Sequence, residues 1–269
     1  MSTTLRSLLP SVADVAKRAG AEILDVYARD FDISSKADQS PLTQADLRAH
    51  RTIVEGLHAL TPQIPVLSEE ASDIPFEERR SWQRYWLVDP LDGTKEFISR
   101  NGEFTVNIAL IENHAPVLGV VYVPVKDTLY SGIVGEGAFR QIANGESTPI
   151  HVCAPAAPTL RIVGSRSHAK AGSLDPYLDK LGPHTLLSIG SSLKFCLVAE
   201  GSADLYPRFG PTSEWDTAAA HAVVEAAGGA VVDAQGQPLR YNLKAELLNP
   251  YFFVFGDKTR DWLALLGQR

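Results

Sequence analysis

The chain has 269 residues, 45% hydrophobic and 21% charged, an ordinary balance for a globular protein of one large or two modest domains. Its net charge is −7 and its Lys and Arg residues are scattered, which argues against a nucleic-acid-binding face. No stretch approaches the roughly 20 apolar residues of a membrane span, and the first ten residues lack the apolar core of a signal peptide. Cys153 and Cys196 are too few and too far apart for a disulfide framework, which fits a reducing cytoplasm. Cys196 lies in an apolar helical pattern and reads as a small core residue.

Residues 8–27 carry Val12, Val15, Ala16, Ala19, Ile23 and Val26, one face of a helix. Residues 30–41 are polar and turn-rich, a loop. Thr43 opens a second helix to about residue 60, and Asp46 follows it in a capping-box pattern. Residues 64–67 form a short strand that delivers Glu69 and Glu70 to its end. In extended backbone these two acids face opposite sides. Residues 73–81 are charged and read as a loop or frayed helix, a candidate mobile flap.

Residues 85–88, Tyr-Trp-Leu-Val, suit a buried strand. Asp89-Pro90-Leu91-Asp92-Gly93-Thr94 then reads as a tight elbow. Pro90 lacks a donor and Gly93 allows backbone that a Cβ forbids. Such a turn can aim both carboxylates, and the Leu91 carbonyl between them, at one point. Oxygen-only donors of this kind suit a hard cation such as Mg²⁺. If a helix begins at Thr94, the N–H groups of Gly93 and Thr94 can hold a phosphate. A solvated Asx turn is the competing reading.

Residues 103–111, 119–125 and 128–134 read as antiparallel strands. No dinucleotide fingerprint, P-loop, nucleophile elbow or zincin motif is present. The Ala/Pro-rich stretch 154–158 is the best boundary, between an α+β half (1–155) and an α/β half (156–269). In the second half, strands at 160–164, 185–189, 203–206, 230–232 and 251–254 alternate with helices at 174–181, 193–200, 215–227 and 258–266. That alternation argues for a layered α/β/α/β sandwich. Ser165 and His168 follow a strand, a usual place for ligand contacts. Ser191 sits at a helix start. Lys194, in the first turn of that helix, is poorly placed for the dipole and better explained by a bound anion. Arg208 is another candidate anion contact. A capping histidine, a helix N-cap and a solvated lysine are the plainer readings of these residues.

Leu67-Ser68-Glu69-Glu70, the elbow through Phe97, Gly164-Ser165-Arg166-Ser167-His168, Gly190-Ser191-Ser192-Leu193-Lys194-Phe195 and Trp215-Asp216 occur in this order. Together they resemble the inositol monophosphatase superfamily of metal-dependent phosphatases. Lys95-Glu96 after the elbow brings the chain closer to its CysQ-type 3′(2′),5′-bisphosphate nucleotidases. The resemblance implies Mg²⁺-dependent hydrolysis of the 3′-phosphate of adenosine 3′,5′-bisphosphate, with Li⁺ and Ca²⁺ inhibiting. It implies Glu69, Asp89, Leu91, Asp92 and Asp216 as ligands of two or three ions, with Glu70 a supporting acid. Asp46 and Thr94 would orient the attacking water. Gly93, Thr94, Ser165, His168, Ser191, Lys194, Arg208 and Asp216 would contact the nucleotide. The expected protein is a cytoplasmic monomer or weak dimer, with association at the inner face of the membrane left open. The alternatives are an inositol monophosphatase, a broad-specificity sugar phosphatase, or a non-catalytic metal-binding module. The EF-hand spacing fails for that last reading.

Overall fold

The structure, a computed structural model, describes residues 4–29, 41–165 and 174–266, with residues 41–43 by backbone alone. Nearly all of the expected loop at 30–41 lies outside the described residues. Helices α1 (Leu5–Tyr27) and α2 (Pro41–Leu60) pack on each other as an outer layer. The α1 stripe read from the sequence is the buried one. Helix α2 begins at Pro41 rather than Thr43, because proline suits a first helical position whose N–H has no partner. Thr43 is therefore inside the first turn and not at the capping position.

The first sheet follows sequence order: β1 (Val66–Ser68), β2 (Arg84–Asp92), β3 (Thr105–Glu112), β4 (Ala115–Val123), β5 (Thr128–Ile133), β6 (Gly137–Ile142) and β7 (Thr148–Ile150). Only the β1–β2 pair is parallel. Strands β6 and β7 carry no sequence signal, because their half-exposed residues show no apolar alternation. The second sheet has β8 (Leu160–Gly164), β9 (His184–Ser188), β10 (Leu205–Arg208), β11 (Ala230–Asp233) and β12 (Phe252–Phe255), in the order β11-β12-β10-β8-β9.

The layers alternate as the sequence pattern predicts. Helices α1 and α2 cover one face of the first sheet. Helices α6 (Leu193–Ala199) and α7 (Ala218–Ala226) lie between the sheets. Helix α5 (Asp175–Leu181) covers the outer face of the second sheet. Along β2, Trp86 and Val88 pack toward α1 and α2, while Tyr85 and Leu87 pack toward α6 and α7. Burial on both faces explains the unbroken apolar run.

Helix α7 is seated on glycines. A Cβ on Gly119 would lie 2.0 Å from the Ala219 carbonyl oxygen, and one on Gly132 would lie 2.8 Å from the Ala226 Cβ. This close packing fixes the height of the turn that precedes α7. The helix starts at Ala218, three residues later than expected, and leaves Asp216 in that turn.

Two other expectations are corrected. Residues 258–266 form a single 3-10 turn at Ala264–Leu266, not a helix. The Asp257 carboxylate accepts from the Thr259 N–H and hydroxyl, and Asp261 accepts from the Leu263 and Ala264 N–H groups. Such local bonds compete with helix formation. The expected flap holds α3 (Phe76–Arg79), and its end is pinned. Arg79 is buried and donates to the Asn242 side chain and to the Lys244 and Ala245 carbonyls.

Candidate active site

Strand β2 does not stop at Val88. Asp89 still pairs with Asn107 and Asp92 with Thr105, so three steps on β2 match two on β3. The extra residue is a bulge, and Pro90 sits in it, where no ladder donor is needed. The turn itself is made by Gly93 at φ 97°, where a Cβ would lie 3.1 Å from the Glu103 carbonyl oxygen. Helix α4 (Thr94–Ile98) starts there, against α2. The buried Asp89 carboxylate accepts the Leu91 N–H at 3.0 Å.

Glu69 and Glu70 are not extended. They occupy a turn in which the Ala71 N–H donates to the Ser68 carbonyl at 3.0 Å. The Glu69 N–H donates to the Val88 carbonyl and ties this turn to β2. Both glutamates therefore act on Asp46 of α2. Burial, and then the Glu70 and Glu69 charges, push the Asp46 carboxyl up to about 8.

The other acids are raised as well. Burial lifts Glu69 to about 7, with Glu70 and Asp92 adding and a hydrogen bond to Asp89 opposing. Burial and the charges of Asp92, Glu69, Asp216 and Asp46 hold Asp89 well above the carboxylate range. Asp92 rises to about 7 through burial and Asp216. Asp216 rises to about 6 through burial, although its carboxylate accepts the Ser213 N–H at 2.9 Å. Acids from α2, the turn after β1, the end of β2 and the turn before α7 thus share one field. Mutual repulsion of buried carboxylates is what a bound cation relieves, and an all-oxygen set suits a hard one. Among the described residues, no three His, Cys, Asp or Glu side chains already stand as a closed ligand set.

Asp92 and Asp216 open onto a cavity of about 430 Å³, whose lining also includes Gly93, Thr94, Ser165, Ser191, Lys194 and Arg208. The sequence thus named residues that the fold brings to one space. His168 lies outside the described residues. Lys194 is not the solvated lysine of the plainer reading. It is 5% exposed, its ammonium donates to the Ile189 and Ser191 carbonyls at 3.2 and 2.6 Å, and it sits over the Tyr206 ring. Burial pulls it down to about 8 against the pull of Asp92. Arg208 likewise donates to the Gly210 and Pro211 carbonyls. Ser192 makes no cap: its hydroxyl donates to Asn107 Oδ1 and bonds the Thr105 hydroxyl, fastening the start of α6 to β3.

Sequence reasoning missed Glu96, Tyr206, Thr217 and Phe252, which also line the cavity. A Cβ on Gly190 would meet Glu96 Cγ at 2.4 Å, so the Glu96 side chain packs directly on the turn before α6. No local pattern announces such a contact.

The inositol monophosphatase family model matches residues 5–259. The chain belongs to the inositol monophosphatase family. Within that family it is 56% identical, over 92% of its length and 99% of the relative's, to the 3′(2′),5′-bisphosphate nucleotidase CysQ of Escherichia coli O157:H7. Among solved structures of the family it resembles CysQ from Bacteroides thetaiotaomicron, at 45% identity and a TM-score of 0.83, covering 96% of this chain and 99% of that one. An inositol monophosphatase from Zymomonas mobilis is more distant, at 27% identity and a TM-score of 0.76, with 96% of each chain covered. Phosphatases of this family depend on metal. Among the described residues, no helix is long and apolar enough to cross a membrane.

Proposed function

We propose that this chain is a 3′(2′),5′-bisphosphate nucleotidase that removes the 3′-phosphate of adenosine 3′,5′-bisphosphate, giving AMP and phosphate. 3′-Phosphoadenosine 5′-phosphosulfate is a second substrate by the same chemistry. The carrying observation is that one cavity is lined both by the half-buried acids Asp92 and Asp216 and by two tethered cations, Lys194 and Arg208. A monophosphate needs only the acids. A bisphosphate uses both. The high identity to named nucleotidases, against the lower identity to an inositol monophosphatase, supports the same choice.

Glu69, Asp89, Asp92, Asp216 and the Leu91 carbonyl would hold two or three Mg²⁺ ions. Bound Mg²⁺ lowers the pKa of water and neutralises phosphate charge. Thr94 and Asp46 would together orient the attacking water, and the Thr94 hydroxyl would relay its proton to the Asp46 carboxylate. Raised to about 8 without metal, that carboxyl holds a proton strongly, and the charge of bound Mg²⁺ would free it to accept one near neutral pH. Glu70 sustains the raised value by its charge. The backbone of Gly93 and Thr94 holds the scissile phosphate. Ser165, Ser191, Lys194 and Arg208 receive the rest of the nucleotide, with His168 nearer the nucleoside. In this reading residues 1–155 supply most of the acids and residues 156–269 the substrate wall. The protein works in the cytoplasm as a monomer or weak dimer, and its two free cysteines fit that reducing compartment.

Phosphate release with Mg²⁺ tests the proposal on four substrates: adenosine 3′,5′-bisphosphate, its 5′-phosphosulfate analogue, inositol 1-phosphate and fructose 1,6-bisphosphate. The first two should be the best substrates. A preference for inositol 1-phosphate rejects the nucleotidase reading.

A further inference from the structure

Tyr241 and Asn242 carry no motif, and both are fully enclosed. The Tyr241 hydroxyl lies 2.8 Å from His221 Nδ1 and 3.2 Å from Thr217 Oγ1. His221 Nε2 stands 3.2 Å from Glu225 Oε1, close but not aligned as a hydrogen bond. A carboxylate at that distance calls for the ring proton on Nε2. Nδ1 then accepts from the Tyr241 O–H, while the Thr217 hydroxyl donates to the Glu214 carbonyl at 3.1 Å and rests against the tyrosine oxygen.

Asn242 grips the other side of the same turn. Its N–H donates to Glu214 Oε2 at 2.8 Å, from a left-handed backbone at φ 58°. Its side chain donates to the Arg79 carbonyl at 2.6 Å and accepts from the Arg79 guanidinium. Glu214 and Thr217 flank Trp215-Asp216, and Arg79 belongs to α3, downstream of Glu69 and Glu70. The same stretch is anchored to the β3–β4 turn, because the Tyr241 N–H donates to the His114 carbonyl at 3.1 Å.

We propose that Tyr241 and Asn242 are positioning residues for Asp216, bracing its turn from both sides against the segment that follows Glu69. The idea rests on the reading of Asp216 as a metal ligand. Asp216 itself is held by the Ser213 N–H within its own turn, so its place relative to Glu69 depends on what holds the turn. A phenylalanine would fill the site of Tyr241 without a buried hydroxyl to satisfy. The hydroxyl supplies direction, not volume.

Calorimetric titration with Mg²⁺ alone tests this, beside the thermal midpoint of the metal-free protein. Tyr241→Phe should weaken Mg²⁺ binding about five- to tenfold, the effect of one lost hydrogen bond. Asn242→Gly keeps the backbone bond to Glu214 and the left-handed conformation but loses the tie to Arg79, and should weaken binding about threefold. Raised Mg²⁺ should restore phosphate release in both variants. If Tyr241→Phe does not fold, Asn242→Gly carries the test alone. An unchanged Mg²⁺ affinity with a lowered midpoint overturns the proposal and leaves the pair merely structural. Asp216→Asn separates the two layers of the argument. If it leaves Mg²⁺ binding intact, the ligand reading fails. If it weakens binding while the brace variants do not, only the brace is wrong.

Discussion

The acids and the cations of the site solve the problem of buried charge in opposite ways. Glu69, Asp89, Asp92 and Asp216 are all raised above the carboxylate range by burial and by one another. Lys194 and Arg208 are each satisfied by backbone carbonyls of their own turns. Lys194 pulls on Asp92, and Lys194 and Arg208 on Asp216, but both acids stay raised, so the chain's own cations do not balance the cluster. The cations are already fixed in direction. A site of this kind needs metal before it can work, but it needs no rearrangement of its wall to receive an anion.

The largest expected effect breaks the acid cluster. Asp89→Asn or Asp92→Asn should cut phosphate release by roughly a thousandfold or more, since several kcal/mol of charge stabilisation is lost. The fold should survive, because one source of repulsion goes with the charge. Circular dichroism and a phosphate assay check both halves, and near-native turnover in either variant contradicts the ligand assignment.

The cations should break differently. Lys194→Ala should raise KM for adenosine 3′,5′-bisphosphate about ten- to hundredfold, the cost of a charge-assisted contact. A small monophosphate should be hydrolysed almost as before. The variant is not a pure specificity probe, because the Ile189 and Ser191 carbonyls lose their donor. A lower thermal midpoint should accompany the KM change. Equal kinetic losses on both substrates would place Lys194 in the catalytic machinery instead.

A third change reaches the acid cluster through packing. Gly119→Ala puts a methyl 2.0 Å from the Ala219 carbonyl oxygen and must displace α7 from β4. Overpacking of this kind costs about 1–3 kcal/mol. Chemical denaturation should show that loss together with weaker Mg²⁺ binding, because the turn bearing Asp216 moves with α7.

Much of this was legible in the chain, for identifiable reasons. Strand β2 announces itself because both faces are buried and its run is apolar. The elbow is legible through Pro90 and Gly93, whose backbone preferences are local. The start of α7 was misjudged at Trp215, because the residues before Ala218 are held by tertiary bonds that no pattern encodes. The terminal helix failed for the opposite reason: its apolar residues suggest a helix while Asp257 and Asp261 cap the backbone locally. For the site, the sequence could name acids and cations but not their burial. The tethering of Lys194 and the role of Tyr241 and Asn242 depend on segments far apart in the chain.

The contrast between acids and cations has a direct thermodynamic signature. Between about pH 4 and about pH 8 the folded metal-free protein binds more protons than the unfolded chain, because Asp216, Glu69, Asp92 and Asp46 are raised to about 6, 7, 7 and 8. Their contribution to stability is therefore present at low pH and lost as pH rises through that window. Lys194, lowered to about 8, has the opposite sign, and its contribution grows only above that pH. The decisive measurement is the unfolding midpoint from pH 5 to pH 8, with and without Mg²⁺. The metal-free protein should lose stability as pH rises, and Mg²⁺ should restore it, with a larger gain at pH 8 than at pH 5. A gain that is independent of pH, or none at all, would contradict an acid cluster that is completed by metal.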